Sequence, residues 1–155
     1  RIPVLGVVYV PVKNILYSGA IGQGAWKEEA GVESAINVSA TTAGEPVKIV
    51  ASRSHRGNEL DAWLKNVEQS FSDVELLSMG SSLKICLVAE GKADIYPRLA
   101  LTSEWDTAAA QAVLEAAGGI LKDSEFNTYR YNQKENILNP YFFAIGDNSF
   151  DWEQY

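Results

Sequence analysis

The first 36 residues carry two apolar runs that predict a β-hairpin. Residues 4–10 are apolar without polar alternation, which is typical of a strand buried on both faces. Residues 15–18 form a second short run after Pro11, and the pair fits two strands joined by a turn. Little of the following sequence is suited to cover both faces of the first strand. The pattern therefore indicates a missing packing partner.

A glycine-containing stretch and a polar stretch separate this hairpin from the rest of the chain. Residues 19–24 include three glycines, and glycines allow a backbone to approach phosphate groups. Their spacing does not match G-x-G-x-x-G, and residues 26–31 are short and acidic where a helix should open. We therefore interpret residues 19–24 as a plain loop. The small polar residues 37–46 predict a connector.

From residue 47 the hydrophobic period alternates between that of strands and that of helices. The predicted strands are residues 47–51, 74–77, 93–96, 120–121 and 141–145. The predicted helices are residues 58–71, 82–90 and 105–117. Alternating strands and helices predict an α/β fold of stacked layers over residues 47–146. We expect residues 147–155 to form a frayed acidic tail.

Composition narrows the class of protein. The chain has 155 residues, 46% of them hydrophobic, which suffices for one globular domain with its own core. Its net charge of −7 argues against general nucleic-acid binding, although a small anion can bind where the few cations converge. The apolar runs fall short of the roughly 20 residues of a membrane span. A single cysteine, Cys86, excludes an internal disulfide and favours a reducing cytoplasm.

Two polar segments follow predicted strands, where ligands bind in open α/β sheets. Residues 52–57 place Arg53, His55 and Arg56 together in an acidic chain, and a solvated loop explains them equally well. Lys84 falls in the first turn of a predicted helix, where it opposes the helix dipole by ~0.3–1 kcal/mol unless an anion binds there. The alternative is that Ser81 or Ser82 caps the helix while Lys84 extends into water.

Two further segments carry candidate chemistry. Arg98 ends a predicted strand, and its guanidinium is suited to pair with a phosphate, but an isolated surface arginine is common. Asp106 begins a predicted helix and is either a hard oxygen ligand for Mg²⁺ or part of a capping box with Ser103. Spacing alone does not choose between these interpretations.

Taken together, these segments resemble a known family. The motif W-D-T-A-A at residues 105–109, followed by a helix of small residues, resembles the second signature of the inositol monophosphatase superfamily of Mg²⁺-dependent, lithium-sensitive phosphatases. The ordered combination looks more narrowly like its 3′(2′),5′-bisphosphate nucleotidase branch. The other motifs of that combination are L-G-V-V-Y-V-P, S-R-S-H, G-S-S-L-K, A-D-I-Y-P-R and L-N-P.

The resemblance implies an activity and a site. The activity is removal of the 3′-phosphate from adenosine 3′,5′-bisphosphate to give AMP, in sulfur assimilation. The implied cofactor is Mg²⁺, two or three ions in the full-length enzyme. Carried over to this sequence, Asp106 ligates metal beside the substrate, Ser81 and Lys84 meet phosphate or ribose, and His55 and Arg98 line the nucleotide site. The cytoplasm is the expected location, with peripheral attachment to the inner face of the plasma membrane as an alternative.

The family's first signature, D-P-x-D-G-T, and an upstream glutamate are absent from these 155 residues. The resemblance therefore implies a C-terminal half, in which residues 1–36 end the sheet of an N-terminal domain. No catalytic residue is assigned to this chain, and the chain alone is expected to be inactive. Its expected partners are a nucleotide bisphosphate and the missing N-terminal half, with a homodimer left open. The alternatives are an inositol monophosphate phosphatase and a non-catalytic nucleotide-binding module.

Overall fold

The computed structural model describes residues 1–51 and 57–155. Its first 36 residues form a four-stranded antiparallel sheet, sheet A, in the order β1-β2-β3-β4. Its strands are β1 (Leu5–Val10), β2 (Ile15–Ala20), β3 (Gly24–Glu29) and β4 (Val32–Ile36). The predicted hairpin is confirmed as β1 and β2, but β3 and β4 were not predicted. The loop interpretation holds only for residues 21–23, because β2 continues to Ala20 and β3 begins at Gly24.

The burial of β1 differs from the prediction. The strand was expected to be buried on both faces, yet Leu5, Val7 and Tyr9 are 66%, 52% and 52% exposed. The opposite face, which includes Gly6, packs into the protein. The reason is that the sheet has helix cover on one side only among the described residues. The outer face of sheet A thus presents a row of apolar side chains to solvent.

The second half of the described chain is the predicted α/β fold. Sheet B has five strands in the order β6-β5-β7-β9-β8, with β5 parallel to β6 and β7, and β9 antiparallel to β7 and β8. Its strands are β5 (Pro46–Ala51), β6 (Asp73–Ser78), β7 (Ile95–Arg98), β8 (Ile120–Asp123) and β9 (Phe142–Ile145). The helices are α1 (Asn58–Val67), α2 (Leu83–Ala89) and α3 (Glu104–Ala116). Strand β7 continues through Pro97, where a stop was predicted.

Helices α2 and α3 lie between the two sheets. One buried core joins them to the inner face of sheet A and to one face of sheet B. Two glycines let α3 lie directly on sheet A: a Cβ on Gly6 would overlap the carbonyl oxygen of Ala109, and a Cβ on Gly19 would lie 2.8 Å from the Cα of Val113. None of the helices in the described ranges has the length and apolar character needed to span a bilayer.

The C-terminal residues pack against the other face of sheet B, so the prediction of a frayed tail is wrong. Trp152 is only 2% exposed. Its ring lies 5.8 Å from that of Phe71 and 4.8 Å from that of Phe150. The acidic side chains between these aromatic residues suggested a solvated tail, but burial of the aromatic surface stabilises a packed segment.

Candidate active site

A pocket of about 600 Å³ opens where β6 and β7 end and α2 and α3 begin. It brings together four of the five predicted site residues: Ser81, Lys84, Arg98 and Asp106. The fifth, His55, lies outside the described residues, as do Arg53 and Arg56. The position agrees with the general rule that ligands bind beyond the carboxyl ends of parallel strands.

Lys84 is the most unusual side chain of the pocket. It is 5% exposed, so the alternative in which it extends into water is wrong. Its Nζ donates to the Met79 carbonyl oxygen at 3.2 Å and lies 5.2 Å from the centroid of the Tyr96 ring. None of the ion pairs within residues 1–51 and 57–155 includes it. A buried cation without a carboxylate partner is a favourable site for an anion.

The electrostatics of Lys84 depend on its burial and on its cationic neighbour. Burial, and to a smaller extent the positive charge of Arg98, lowers the pKa of Lys84 to about 8. Arg98, the last residue of β7, is held by a hydrogen bond of 3.1 Å from its Nη2 to the Leu101 carbonyl oxygen. Its buried Nε has no partner among the described residues. The two cations therefore create a positive field inside an acidic protein.

Ser81 reaches the pocket through an unusual backbone conformation. Its φ of 54° lies in the left-handed region, which non-glycine residues seldom adopt. The following residue, Ser82, is the N-cap of α2, and the two hydroxyl oxygens lie 3.5 Å apart. The chain thus turns sharply between Gly80 and α2, and both Ser81 and Lys84 line the pocket.

Asp106 caps α3, as one of its two interpretations predicted. The Ser103 backbone N–H donates to its Oδ2 at 2.8 Å, completing the capping box. Its exposed carboxylate also lines the pocket. Among residues 1–51 and 57–155, no three His, Cys, Asp or Glu side chains gather as a metal site would require. Asp106 is chemically suited to Mg²⁺ as one oxygen ligand, but these residues do not complete a site for the ion.

Several residues of the pocket and its support were not predicted individually. Tyr96, Thr102 and Thr107 line the pocket. The Thr107 hydroxyl lies 2.9 Å from the Tyr131 hydroxyl and 3.1 Å from Nδ2 of Asn139. The motifs A-D-I-Y-P-R and L-N-P contain Tyr96 and Asn139, yet a polar residue within an apolar segment gives no local sign of which atoms it will contact.

Residues 1–143 match the model of the inositol monophosphatase family, and the chain belongs to this family. Its relatives include proteins named 3′(2′),5′-bisphosphate nucleotidase CysQ. The chain is 48% identical to CysQ of Escherichia coli strain K12 over 140 residues, which cover 90% of this chain and 54% of the relative. For CysQ of Haemophilus influenzae the identity is 34% over 150 residues, or 97% and 55% of the two chains. The chain thus spans about half the length of these curated relatives.

Solved structures agree with this assignment. One is the crystal structure of CysQ from Bacteroides thetaiotaomicron, which is described as a bacterial member of the inositol monophosphatase family. It matches with a TM-score of 0.83 and 39% sequence identity, and the match covers 94% of this chain and 58% of that chain. An inositol monophosphatase from Zymomonas mobilis has a TM-score of 0.76 at 19% identity, covering 99% and 56% of the two chains, and shows the fold alone. The α/β fold expected from the resemblance is therefore confirmed.

Proposed function

We propose that this chain forms the substrate-binding side of a phosphatase that converts adenosine 3′,5′-bisphosphate to AMP and phosphate. The observation that carries the proposal is the buried Lys84, which lies in a pocket with Arg98 and has no carboxylate partner among the described residues. A substrate with two phosphate groups supplies the missing negative charge. The similarity to proteins named bisphosphate nucleotidase supports the choice of substrate.

Each pocket residue has a role in this proposal. Lys84 and Arg98 bind phosphate oxygens through charge-assisted hydrogen bonds, while the Ser81 hydroxyl contacts phosphate or ribose. Tyr96 lines the pocket beside the bound anion without adding negative charge. Burial raises the pKa of its phenol to about 12, so the phenol stays protonated at neutral pH. The proposed role of His55 along the nucleotide rests on the resemblance alone.

Asp106 has a separate proposed role as one ligand of Mg²⁺. When bound, the ion would polarise the phosphate ester and activate water. The carboxylate of Asp106 stays close to the pocket, because the Ser103 backbone N–H donates a hydrogen bond to one of its oxygens. The remaining ligands would come from beyond the described residues, and accordingly we assign no catalytic step to this chain alone.

The outer face of sheet A supports the proposed partner. Leu5, Val7 and Tyr9 form an exposed apolar row on β1, and β2 is the one strand that pairs with β1 within residues 1–51 and 57–155. Exposed apolar rows on an unpaired edge strand are typical of packing surfaces. We propose that polypeptide equivalent to the part of the CysQ relatives that this chain does not span covers this face and completes the metal site.

Titration of the ¹⁵N-labelled chain with adenosine 3′,5′-bisphosphate tests the proposed function. We expect NMR shift changes at Ser81, Lys84, Arg98 and Thr102, with a Kd on the order of 0.1–1 mM in the absence of Mg²⁺. AMP, which has one phosphate fewer, should bind more weakly. The absence of shift changes around the pocket would contradict the proposal.

The same titration separates the alternatives. Inositol monophosphate binding as strongly as the nucleotide would favour an inositol phosphate phosphatase. A metal-independent Kd on the order of 1 μM would instead favour a nucleotide-binding module, because a chain that supplies only half of a site has no reason to bind its ligand so tightly.

A further inference from the structure

A short segment that precedes β9 holds the beginning of α3. Residues 137–139 run antiparallel to residues 102–104, with Leu138 opposite Ser103. The Asn139 amide donates to the Thr102 carbonyl oxygen at 2.8 Å, and the Glu104 amide donates to the Ile137 carbonyl oxygen at 2.9 Å. The N-terminal residues of α3 are therefore fixed by a neighbouring segment as well as by their own capping box.

The side chain of Asn139 strengthens this attachment. It is 4% exposed, and its Nδ2 donates to the Thr102 hydroxyl at 2.9 Å and to the Ser103 carbonyl at 2.8 Å. The Thr107 hydroxyl lies 3.1 Å from the same nitrogen. An amide nitrogen carries two hydrogens, so three acceptors share them. Both N–H groups of this buried side chain are consequently directed at the start of α3.

These contacts connect Asn139 to the pocket. Thr102 and Thr107 line the pocket, whereas Asn139 lies behind them. Ser103 connects the network to Asp106, because its carbonyl oxygen accepts from Asn139 while its N–H donates to the Asp106 carboxylate. Loss of the Asn139 donors would leave the Thr102 hydroxyl without its partner Asn139 and would remove the side-chain attachment of the Ser103 carbonyl. The Thr107 hydroxyl would keep its contact with the Tyr131 hydroxyl. The lost hydrogen bonds would be relieved by movement of the helix start.

We propose that Asn139 is a positioning residue for the pocket: it fixes Thr102 and the first turn of α3, and through Ser103 it holds the carboxylate of Asp106 toward the bound phosphate ester. The inference rests on the proposed function for its ligand. Its structural basis, the attachment of α3 to residues 137–139, is independent of which phosphate ester binds.

The test compares N139A with N136A in the 155-residue chain. Asn136 is a near neighbour of the same segment, but its side chain is exposed and, among the described residues, accepts a hydrogen bond from the nearby Leu138 amide alone. We expect N139A to raise hydrogen-exchange rates about tenfold at the amides of Glu104 and Asp106, the effect of losing roughly one hydrogen bond at a buried group. Amides of sheet A should keep their rates. The Kd for adenosine 3′,5′-bisphosphate should rise about tenfold in N139A and stay unchanged in N136A.

A second variant covers the case in which N139A does not fold. T102V removes one acceptor of Asn139 at nearly constant volume and should speed exchange at the same amides by a smaller factor. Unchanged exchange at Glu104 and Asp106, or an equal rise throughout the chain, would overturn the inference. Nucleotide binding that N139A leaves intact would also overturn it, whereas a wild-type chain that binds no nucleotide would contradict the proposed function instead.

Discussion

Replacement of Lys84 by methionine is expected to weaken binding of adenosine 3′,5′-bisphosphate on the order of 10- to 100-fold. A hydrogen bond to a charged group contributes about 1.5–3 kcal/mol, and each 1.4 kcal/mol corresponds to about tenfold in affinity. Methionine preserves the buried aliphatic volume, so the fold should be retained. Lys65 offers a matched control, because it is exposed on α1 and its replacement by methionine changes the net charge equally. NMR titration of both variants measures the effect, and equal affinities would remove Lys84 from the site.

The lowered pKa of Lys84 predicts how nucleotide binding depends on pH. Because its pKa is lowered to about 8, Lys84 is mostly charged at pH 7 and mostly neutral at pH 9. The substrate phosphates keep their charge in this interval, since their second pKa is about 6. Affinity should therefore fall as the pH rises from 7 to 9, and binding at pH 8 should take up protons. The K84M variant should lose this part of the pH dependence, as calorimetry in buffers of different ionisation enthalpy would show.

Substitution of Gly6 by alanine is expected to have the largest effect on stability. The added Cβ would overlap the Ala109 carbonyl oxygen and lie 2.8 Å from its carbon. Overpacking costs about 1–3 kcal/mol, and we expect about 3 kcal/mol here because the obstacle is helix backbone, which cannot change rotamer. The shift of α3 away from sheet A should also weaken nucleotide binding, since α3 carries Asp106 and Thr107 into the pocket.

Denaturant unfolding followed by circular dichroism measures this loss of stability. Gly57 provides the control, because no heavy atom of the described residues beyond its own chain neighbours lies within 4 Å of a Cβ built there, and its φ of −104° is open to alanine. G57A should leave the free energy of unfolding within about 1 kcal/mol of wild type. An unfolding free energy of G6A within about 0.5 kcal/mol of wild type would show that α3 does not depend on this close approach.

The α/β half of the fold could be predicted because its hydrophobic period is distinct. Runs of the corresponding period match strands β5, β6 and β9 and all three described helices, although α1 ends at Val67 where the predicted helix continued to residue 71. Strand β3 was missed because Lys27, Glu28 and Glu29 place charges along it. Strand β4, its antiparallel neighbour, was missed with it. These charges are tolerated through tertiary contacts, such as the ion pair of 3.2 Å between Lys27 and Glu90, which no local pattern contains.

The candidate site was predicted in part for a similar reason. Ser81, Lys84, Arg98 and Asp106 could be found from their places at strand ends and helix starts, and the pocket does bring them together. The burial of Lys84 could not be predicted, because it depends on Tyr96 of β7 and on the turn that brings the Met79 carbonyl oxygen to its Nζ. Asn139 likewise has no distinguishing local pattern, since its partners lie more than 30 residues away in the chain.

The most direct test of the proposed function uses a joined chain. In it, the part of Escherichia coli CysQ that this chain does not match is placed before residue 1. These 155 residues are proposed to supply the substrate-binding side of a phosphatase whose other metal ligands lie elsewhere. We expect the joined chain to release phosphate from adenosine 3′,5′-bisphosphate in the presence of Mg²⁺, and its D106N variant to lose most of that activity. The 155-residue chain alone should release none, and comparable Mg²⁺-dependent release by that chain alone would contradict the account.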